Sequence, residues 1–260
     1  MLKALNTAAT GMIAQQTNVD VVANNMANVN TTGFRRSRAE FQDLVYQTVR
    51  APGGKTSDGQ SLPTGIQIGQ GTRTISTEHM HMQGAMKQTS NPLDMAIEGD
   101  GFFKVTRPGG EVAYTRAGNF KTDADGRLVT VDGYPVEPAI VVPPDTTSIT
   151  ITGDGVISVT LAGQTASQEV GQMTLANFAN PGGLRAIGRQ MFLPTDASGE
   201  PIEGVPGQEG IGTISQASLE GSNVQVVNEM IDLIASQRAY ELNQKVITAA
   251  DDMLRKVTER

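Results

Sequence analysis

Glycine and proline are distributed so unevenly along this chain that they fix its architecture in outline. All 12 prolines and 27 of the 29 glycines lie between residues 51 and 222. Residues 1–50 hold only Gly11 and Gly33, and residues 223–260 hold neither glycine nor proline. A helix interior disfavours glycine by about 1 kcal/mol and proline by about 3 kcal/mol, whereas turns require them. The two ends are therefore predicted helices, and the middle is predicted strand and turn. The fold class is α+β, with long N- and C-terminal helices paired in a coiled-coil-like layer and a β-rich middle domain.

Charge follows the same partition. Residues 1–50 carry five basic and three acidic side chains, and residues 223–260 carry five and six. The middle carries 10 and 18, a balance of −8, so it accounts for the chain's net charge of −7. Near-neutral ends beside an acidic centre fit ends that are buried and a centre that faces water. Nucleic-acid binding is disfavoured, because phosphate neutralisation needs clustered Lys and Arg. No apolar run exceeds the four residues Ala139 to Val142, so no membrane insertion is expected. The N-terminus lacks the apolar segment of a secretory signal, which by itself points to the cytoplasm. Cysteine is absent, which removes disulfides, thiolate catalysis and Cys-ligated zinc.

In the N-terminal segment, Leu5, Ala8, Met12, Gln15, Val19, Val22, Met26 and Val29 follow a heptad, with Gln15 its one polar member. A helix of about 28 residues would run about 42 Å, and Thr31-Thr32-Gly33 supplies its stop. At the other end, Val226, Leu233, Tyr240, Ile247 and Leu254 recur every seven residues. Leu242, Val246, Ala249 and Met253 form a second apolar row, so this helix is expected to meet neighbours on more than one side. Ser222 or Asn223 can cap its start, with Glu229 in the second turn.

Hairpins are predicted where Pro108-Gly109-Gly110 separates Phe102–Val105 from Glu111–Tyr114, and where Gly153-Asp154-Gly155 separates residues 148–152 from 156–161. Leu128–Val131 before Asp132-Gly133 reads as a strand and turn. Residues 51–66 are too polar and glycine-rich for a core and read as an extended loop or arm. The expected organisation is residues 1–46 with 222–260 as an inner assembly domain, 47–72 as an arm, and 73–221 as an outer β domain.

Catalytic and ligand-binding signals are weak. Asp123-Ala124-Asp125-Gly126 resembles the start of a calcium loop, but its glycine comes at position 4 and Tyr134 stands where a glutamate belongs, so a tight turn is preferred. His79 and His81 lack a third ligand for zinc. The pairs Gly69/Gly71 and Gly99/Gly101 lack the third glycine of a dinucleotide fingerprint, since Thr74 and Lys104 occupy that position. A glycosidase carboxylate pair stays open, although a chain without tryptophan is poorly provided with sugar-stacking surface. No catalytic residue, cofactor or metal is assigned.

The segment Ala23 to Arg36, ANNMANVNTTGFRR, resembles the N-terminal signature of the bacterial flagellar rod and hook family, with mild departures at Ala23, Met26 and Arg35. Residues 222–254 resemble that family's closing helix, including Gln237-Arg238-Ala239-Tyr240-Glu241. Asn91 to Val105 and Tyr114 to Phe120 match as well, so the resemblance spans nearly the whole chain. Its length, and the polar stretch after Tyr46, are most similar to the distal-rod members. The resemblance implies a helical homopolymer that carries torque through periplasm and outer membrane, with proximal rod proteins, hook protein, and P-ring and L-ring proteins as partners. It also implies export through the flagellar type III apparatus without a cleaved signal, which replaces the cytoplasmic expectation. The residues expected to act in assembly are Leu5, Met12, Val19, Asn24, Asn25, Met26, Asn28, Gly33 and Phe34 at one end. At the other they are Val226, Leu233, Gln237, Arg238, Tyr240, Ile247 and Leu254. Two alternatives stay open: a proximal-rod member, and a β-rich binding or hydrolytic domain with incidental helices.

Overall fold

A computed structural model describes residues 2–53, 63–164 and 166–258. The chain is α+β and divides into two compact units. One gathers Met1–Ala27, Ser37–His79 and Gln225–Arg260; the other comprises Asn28–Arg36 and Met80–Val224.

The first unit contains helix α1 (Leu2–Ala27), helix α2 (Val226–Thr258) and four strands. These are β1 (Ser37–Asp43), β2 (Tyr46–Arg50), β3 (Ile66–Gly69) and β4 (Thr72–His79). β1 pairs antiparallel with β4 from Ser37↔His79 to Asp43↔Thr72, with a bulge at Glu40/Phe41. β2 continues the ladder with β3, Tyr46 facing Gly69. Residues 37–50 and 66–79 thus form the two legs of one hairpin. The polar stretch 54–62, part of the expected loop, lies outside the described residues.

The second unit is β-rich. Strands β5 (Met86–Gln88), β6 (Met95–Glu98), β7 (Phe102–Thr106) and β8 (Val112–Thr115) open it. β7 and β8 form the hairpin predicted around Pro108-Gly109-Gly110, with Phe103 opposite Thr115. Among the described residues they are central to a seven-stranded antiparallel sheet with Leu175–Asn177, Met191–Leu193, Arg185–Gly188, Ile202–Gly204 and Val136–Glu137. A three-stranded meander, Thr146–Ile151, Val156–Leu161 and Ser167–Gln172, contains the second predicted hairpin. Alternation along β7 explains the Phe102-Phe103 doublet, since successive side chains point to opposite faces. Phe103 and Val105 enter the main core with Met95, Ile97, Phe120 and Leu128. Phe102 turns to a second cluster with Tyr114, Phe178 and Phe192. Each buried ring contributes on the order of 1.5–3 kcal/mol.

Two weak ligand signals resolve into ordinary structure. Asp123–Arg127 is a tight turn, closed by Gly126 N donating to Asp123 O at 2.9 Å. Arg127 holds both Asp123 and Asp125 carboxylates. His79 lies 3.1 Å from Ser37 Oγ in the first unit, while His81 packs edge-on to Phe102 and Phe192 in the second.

What anchors residues 28–36 in the second unit is a buried ion cluster. Arg35 Nη1 donates to Glu220 Oε1 and Arg116 Nε to Glu220 Oε2, each at 2.7 Å. The three side chains are 2%, 3% and 0% exposed for Arg35, Arg116 and Glu220. Gly84 N also donates to Glu220 Oε1, and Arg116 reaches the carbonyls of Ile97, Gly99 and Gly101. The Glu220 carboxylate and the Arg116 guanidinium thus gain several fixed partners in a region that excludes water, as a buried charge requires. Burial works against the Glu220 charge, but the hydrogen bonds and charges of Arg35 and Arg116 outweigh it and hold the carboxyl below its ordinary range. Burial likewise draws the Arg116 guanidinium down from its ordinary value, opposed by Glu220. Alongside, Gly33 N donates to Glu220 O at 2.8 Å. Gly33 is in the left-handed region (φ 69°), and a Cβ there would stand 2.7 Å from Ala117 N.

Asn223, expected as a helix cap, is used differently. Its side chain accepts from Arg36 N and donates to Met80 O and Met82 O. α2 accordingly starts at Val226, which brings Glu229 into the first turn instead of the second.

Replacing Glu220 with Gln strands two buried guanidinium charges and should cost about 3–5 kcal/mol, read as a lower denaturation midpoint by near-UV circular dichroism. Because the folded pKa of Glu220 is depressed, its contribution is complete above the ordinary glutamate value of about 4.3 and is lost as pH falls through the folded value. The natural chain should therefore lose stability more steeply than Glu220→Gln below about pH 4.3; parallel acid limbs would contradict this. Gly33→Ala should destabilise by more than the roughly 1–2 kcal/mol of left-handed backbone alone, because its Cβ also collides.

Candidate assembly site in the terminal helices

α1 has 26 residues and α2 has 33, lengths of about 39 and about 50 Å. They pack antiparallel, and three contacts define the line along which they meet. A Cβ on Gly11 would lie 3.0 Å from the Asn243 side-chain amide. Asn18 Nδ2 donates to Ser236 Oγ at 2.7 Å, and Asn25 Nδ2 donates to Glu229 Oε2 at 3.1 Å. Each step advances seven residues in α1 and retreats seven in α2. The side chains buried on the two helices are small or polar for the most part: Ala8, Ala14, Val22 and Asn25 on α1, and Glu229, Ser236 and Ala250 on α2.

Asn25 has a further task. Its Oδ1 accepts from Ser37 N and its Nδ2 donates to Ser37 O, each at 2.8 Å. One side-chain amide therefore satisfies both backbone groups at the start of β1, as a neighbouring strand would. The tip of this unit is tied similarly where Thr72 N donates to Thr10 Oγ1.

The second apolar row of α2 and part of its first face elsewhere. Val226, Val227, Met230, Ile231, Ile234, Tyr240, Leu242, Val246 and Met253 are exposed, Val227 by 69% and Leu242 by 62%. Ile13 of α1 is exposed as well. On the hairpin, Val45, Tyr46, Val49, Ile66, Ile68 and Ile75 are exposed. Val226, Val227, Met230, Ile231 and Ile234 fall on one side of α2 by helical spacing, and grouped apolar surface of this kind marks an interaction site.

The predicted assembly residues fall into distinct environments. Leu5, Met12, Val19 and Met26 are half-buried on α1, Asn25 is buried, and Asn24 is exposed. Asn28, Gly33 and Phe34 lie beyond the helix, in the second unit. There Asn28 O accepts from Thr31 N, and Thr31 O accepts from Phe34 N. On α2, Leu233, Ile247 and Leu254 are half-buried, whereas Val226, Gln237, Arg238 and Tyr240 are exposed. The helix contact line runs one residue before the row Met12, Val19 and Met26. Hydrophobic periodicity could not find it, because Gly11, Asn18, Ser236 and Asn243 carry no apolar signal; their shared seven-residue spacing was the available clue.

Among the described residues no group of three His, Asp or Glu is placed to hold a metal, and no helix is long and apolar enough to cross a membrane.

Comparison with known proteins agrees with this geometry. Residues 5–35 match the model of the flagella basal body rod protein family. Residues 96–159 match the flagellar hook protein FlgE/F/G D1 domain, and residues 215–260 match the flagellar basal body rod FlgEFG protein C-terminal domain. The flagellar basal-body rod protein FlgG of Caulobacter vibrioides is 51% identical over 259 residues, covering 99% of each chain. That of Buchnera aphidicola from Acyrthosiphon pisum is 47% identical over the full length of both. The rod protein FlgF of C. vibrioides is more distant, at 35% over 93% of this chain and 91% of its own. With helix-forming ends and a β-rich centre matched in order along the whole sequence, the chain belongs to the flagellar basal-body rod protein family, in its FlgG branch, and is a structural subunit and not an enzyme.

Proposed function

We propose that the chain is a distal-rod subunit that polymerises into a helical tube and transmits torque from motor to hook. The observation that carries this is the inverted helix pair, with polar and small residues between α1 and α2 and apolar rows turned outward. Exposed Leu242, Val246 and Met253 gain most when neighbouring copies cover them, at about 25 cal/mol per Å² of apolar area. Residues 1–46 and 222–260 form the inner layer of that tube, and 73–221 form its outer wall. The greater identity to FlgG than to FlgF within one organism supports the distal over the proximal position.

In this reading, proximal rod proteins and hook protein adjoin the tube at its two ends, P-ring and L-ring proteins surround it, and the flagellar type III apparatus exports the subunit. Residues 47–72, which include most of β2 and all of β3, act as an arm bridging neighbours and stiffening the shaft. Exposed Val49, Ile66 and Ile68 support that role.

Helix content separates assembled from free subunits. Far-UV circular dichroism should rise on polymerisation, because outward apolar rows leave the free helices short of packing; equal content in both states would sink the idea. Trimming residues 1–27 should abolish polymerisation while the near-UV signal of the second unit persists; a trimmed chain that still forms tubes would show that α1 is not needed for assembly. Deleting residues 47–72 should give curved tubes by negative-stain microscopy, and straight rigid ones would argue against the arm.

A further inference from the structure

Apolar matching would turn the rows of Met12, Val19 and Met26, and of Leu233, Tyr240 and Leu254, fully against each other. The helices instead meet along Gly11–Asn243, Asn18–Ser236 and Asn25–Glu229. Apolar packing tolerates a slip, since one aliphatic side chain fits roughly where another did. A buried polar pair does not, because a slip leaves a desolvated donor or carboxylate mismatched. Moving the helices by three residues would set Asn18 against Leu233 or Ala239. Moving them by a whole heptad carries Glu229 past the end of α1 in one direction and Asn25 past the start of α2 in the other. Asn25 and Glu229 are the most deeply buried pair on this line, at 1% and 0% exposed, so the penalty is largest at that end.

We infer that Asn18–Ser236 and Asn25–Glu229 specify the register and facing of the helix pair, with Gly11 permitting close approach at Asn243. The polar ladder selects which faces meet and so keeps the exposed members of the apolar rows of α2, Leu242, Val246 and Met253 among them, outward. That these rows are then covered by further copies rests on the polymer reading above; the register does not.

The natural chain has no cysteine, so introduced thiols report cleanly. Gly11→Cys with Asn243→Cys reads the observed register, and Gly11→Cys with Ala250→Cys reads a one-heptad slip. Both pairs are introduced into the natural ladder and into a chain carrying Asn18→Leu, Ser236→Ala and Glu229→Ala, which removes both rungs while Asn25 keeps its bonds to Ser37. Disulfide yields are measured on pelleted polymer and on dilute chain separately. In polymer with the natural ladder, the in-register yield should exceed the slipped yield about tenfold or more, and the ratio should fall toward parity in the apolar ladder. A ratio unchanged by the apolar ladder overturns the inference. Asn18→Ser with Ser236→Asn, which keeps the hydrogen bond with its partners exchanged, should retain the natural ratio, and loss of register there also overturns it. If the natural chain gives no pellet, the polymer reading fails, and the dilute-chain ratios judge the register alone by the same criterion. Near-UV circular dichroism confirms that each variant keeps its second unit folded.

Discussion

The structure depends first on Glu220. Its carboxylate binds Arg35 and Arg116 at 2.7 Å in a site with almost no solvent access. Through it, the segment that leaves α1 and the segment that leads into α2 are held together within the β-rich unit. Gly33 N on Glu220 O and Arg36 N on Asn223 Oδ1 extend the same tie. Two guanidinium groups around one carboxylate are costly to desolvate, and the arrangement persists because backbone carbonyls take three further protons of Arg116. Apolar side chains could bury as much area here, but they would not dictate a single alignment of two strands of chain so distant in sequence. Specificity is the better reason for the cluster than stability.

The helix pair follows the same logic with weaker interactions. Its contact line is built of Asn, Ser, Glu and Gly, residues that contribute little net free energy but penalise misalignment. Apolar side chains that a self-sufficient bundle would hide are left outward on α2. For a monomer this is a poor economy, and for a subunit it separates two tasks. In the proposed polymer, polar contacts within the chain choose the geometry, and apolar contacts between chains supply the affinity. A family of rod subunits has use for both, since premature collapse of its helices onto each other would hide the surface that assembly needs.

Much of the fold was legible in advance. Glycine and proline spacing located the helices, the hairpin at residues 108–110 and the one at 153–155, because those residues act locally through backbone conformation. The aspartate turn at 123–126 was legible for the same reason. α2 starts two or three residues later than a cap at Ser222 or Asn223 would place it, since Asn223 has ordinary capping chemistry but commits its side chain to Arg36, Met80 and Met82. Within the family signature, Gly33 was legible as a turn, while Arg35 looked like a mild departure and proved to be half of a buried ion pair. Glu220 carried no local mark at all, because its partners lie 104 and 185 residues away.

Sequence alone therefore determined the helical ends, the turn-rich centre and the family, all properties carried by short-range pattern and by motif order. Only the tertiary structure decided which faces of the helices meet. Periodicity assigns the inward face to whichever row is most apolar, on the assumption that burial within one chain is the goal. Here the contact line is small and polar, Leu233, Ile247 and Leu254 are only half-buried, and the row of Leu242, Val246 and Met253 stays exposed, an outcome fixed by hydrogen bonds between residues some two hundred positions apart. Such pairings depend on where the chain returns in space, and no local window of sequence contains that information.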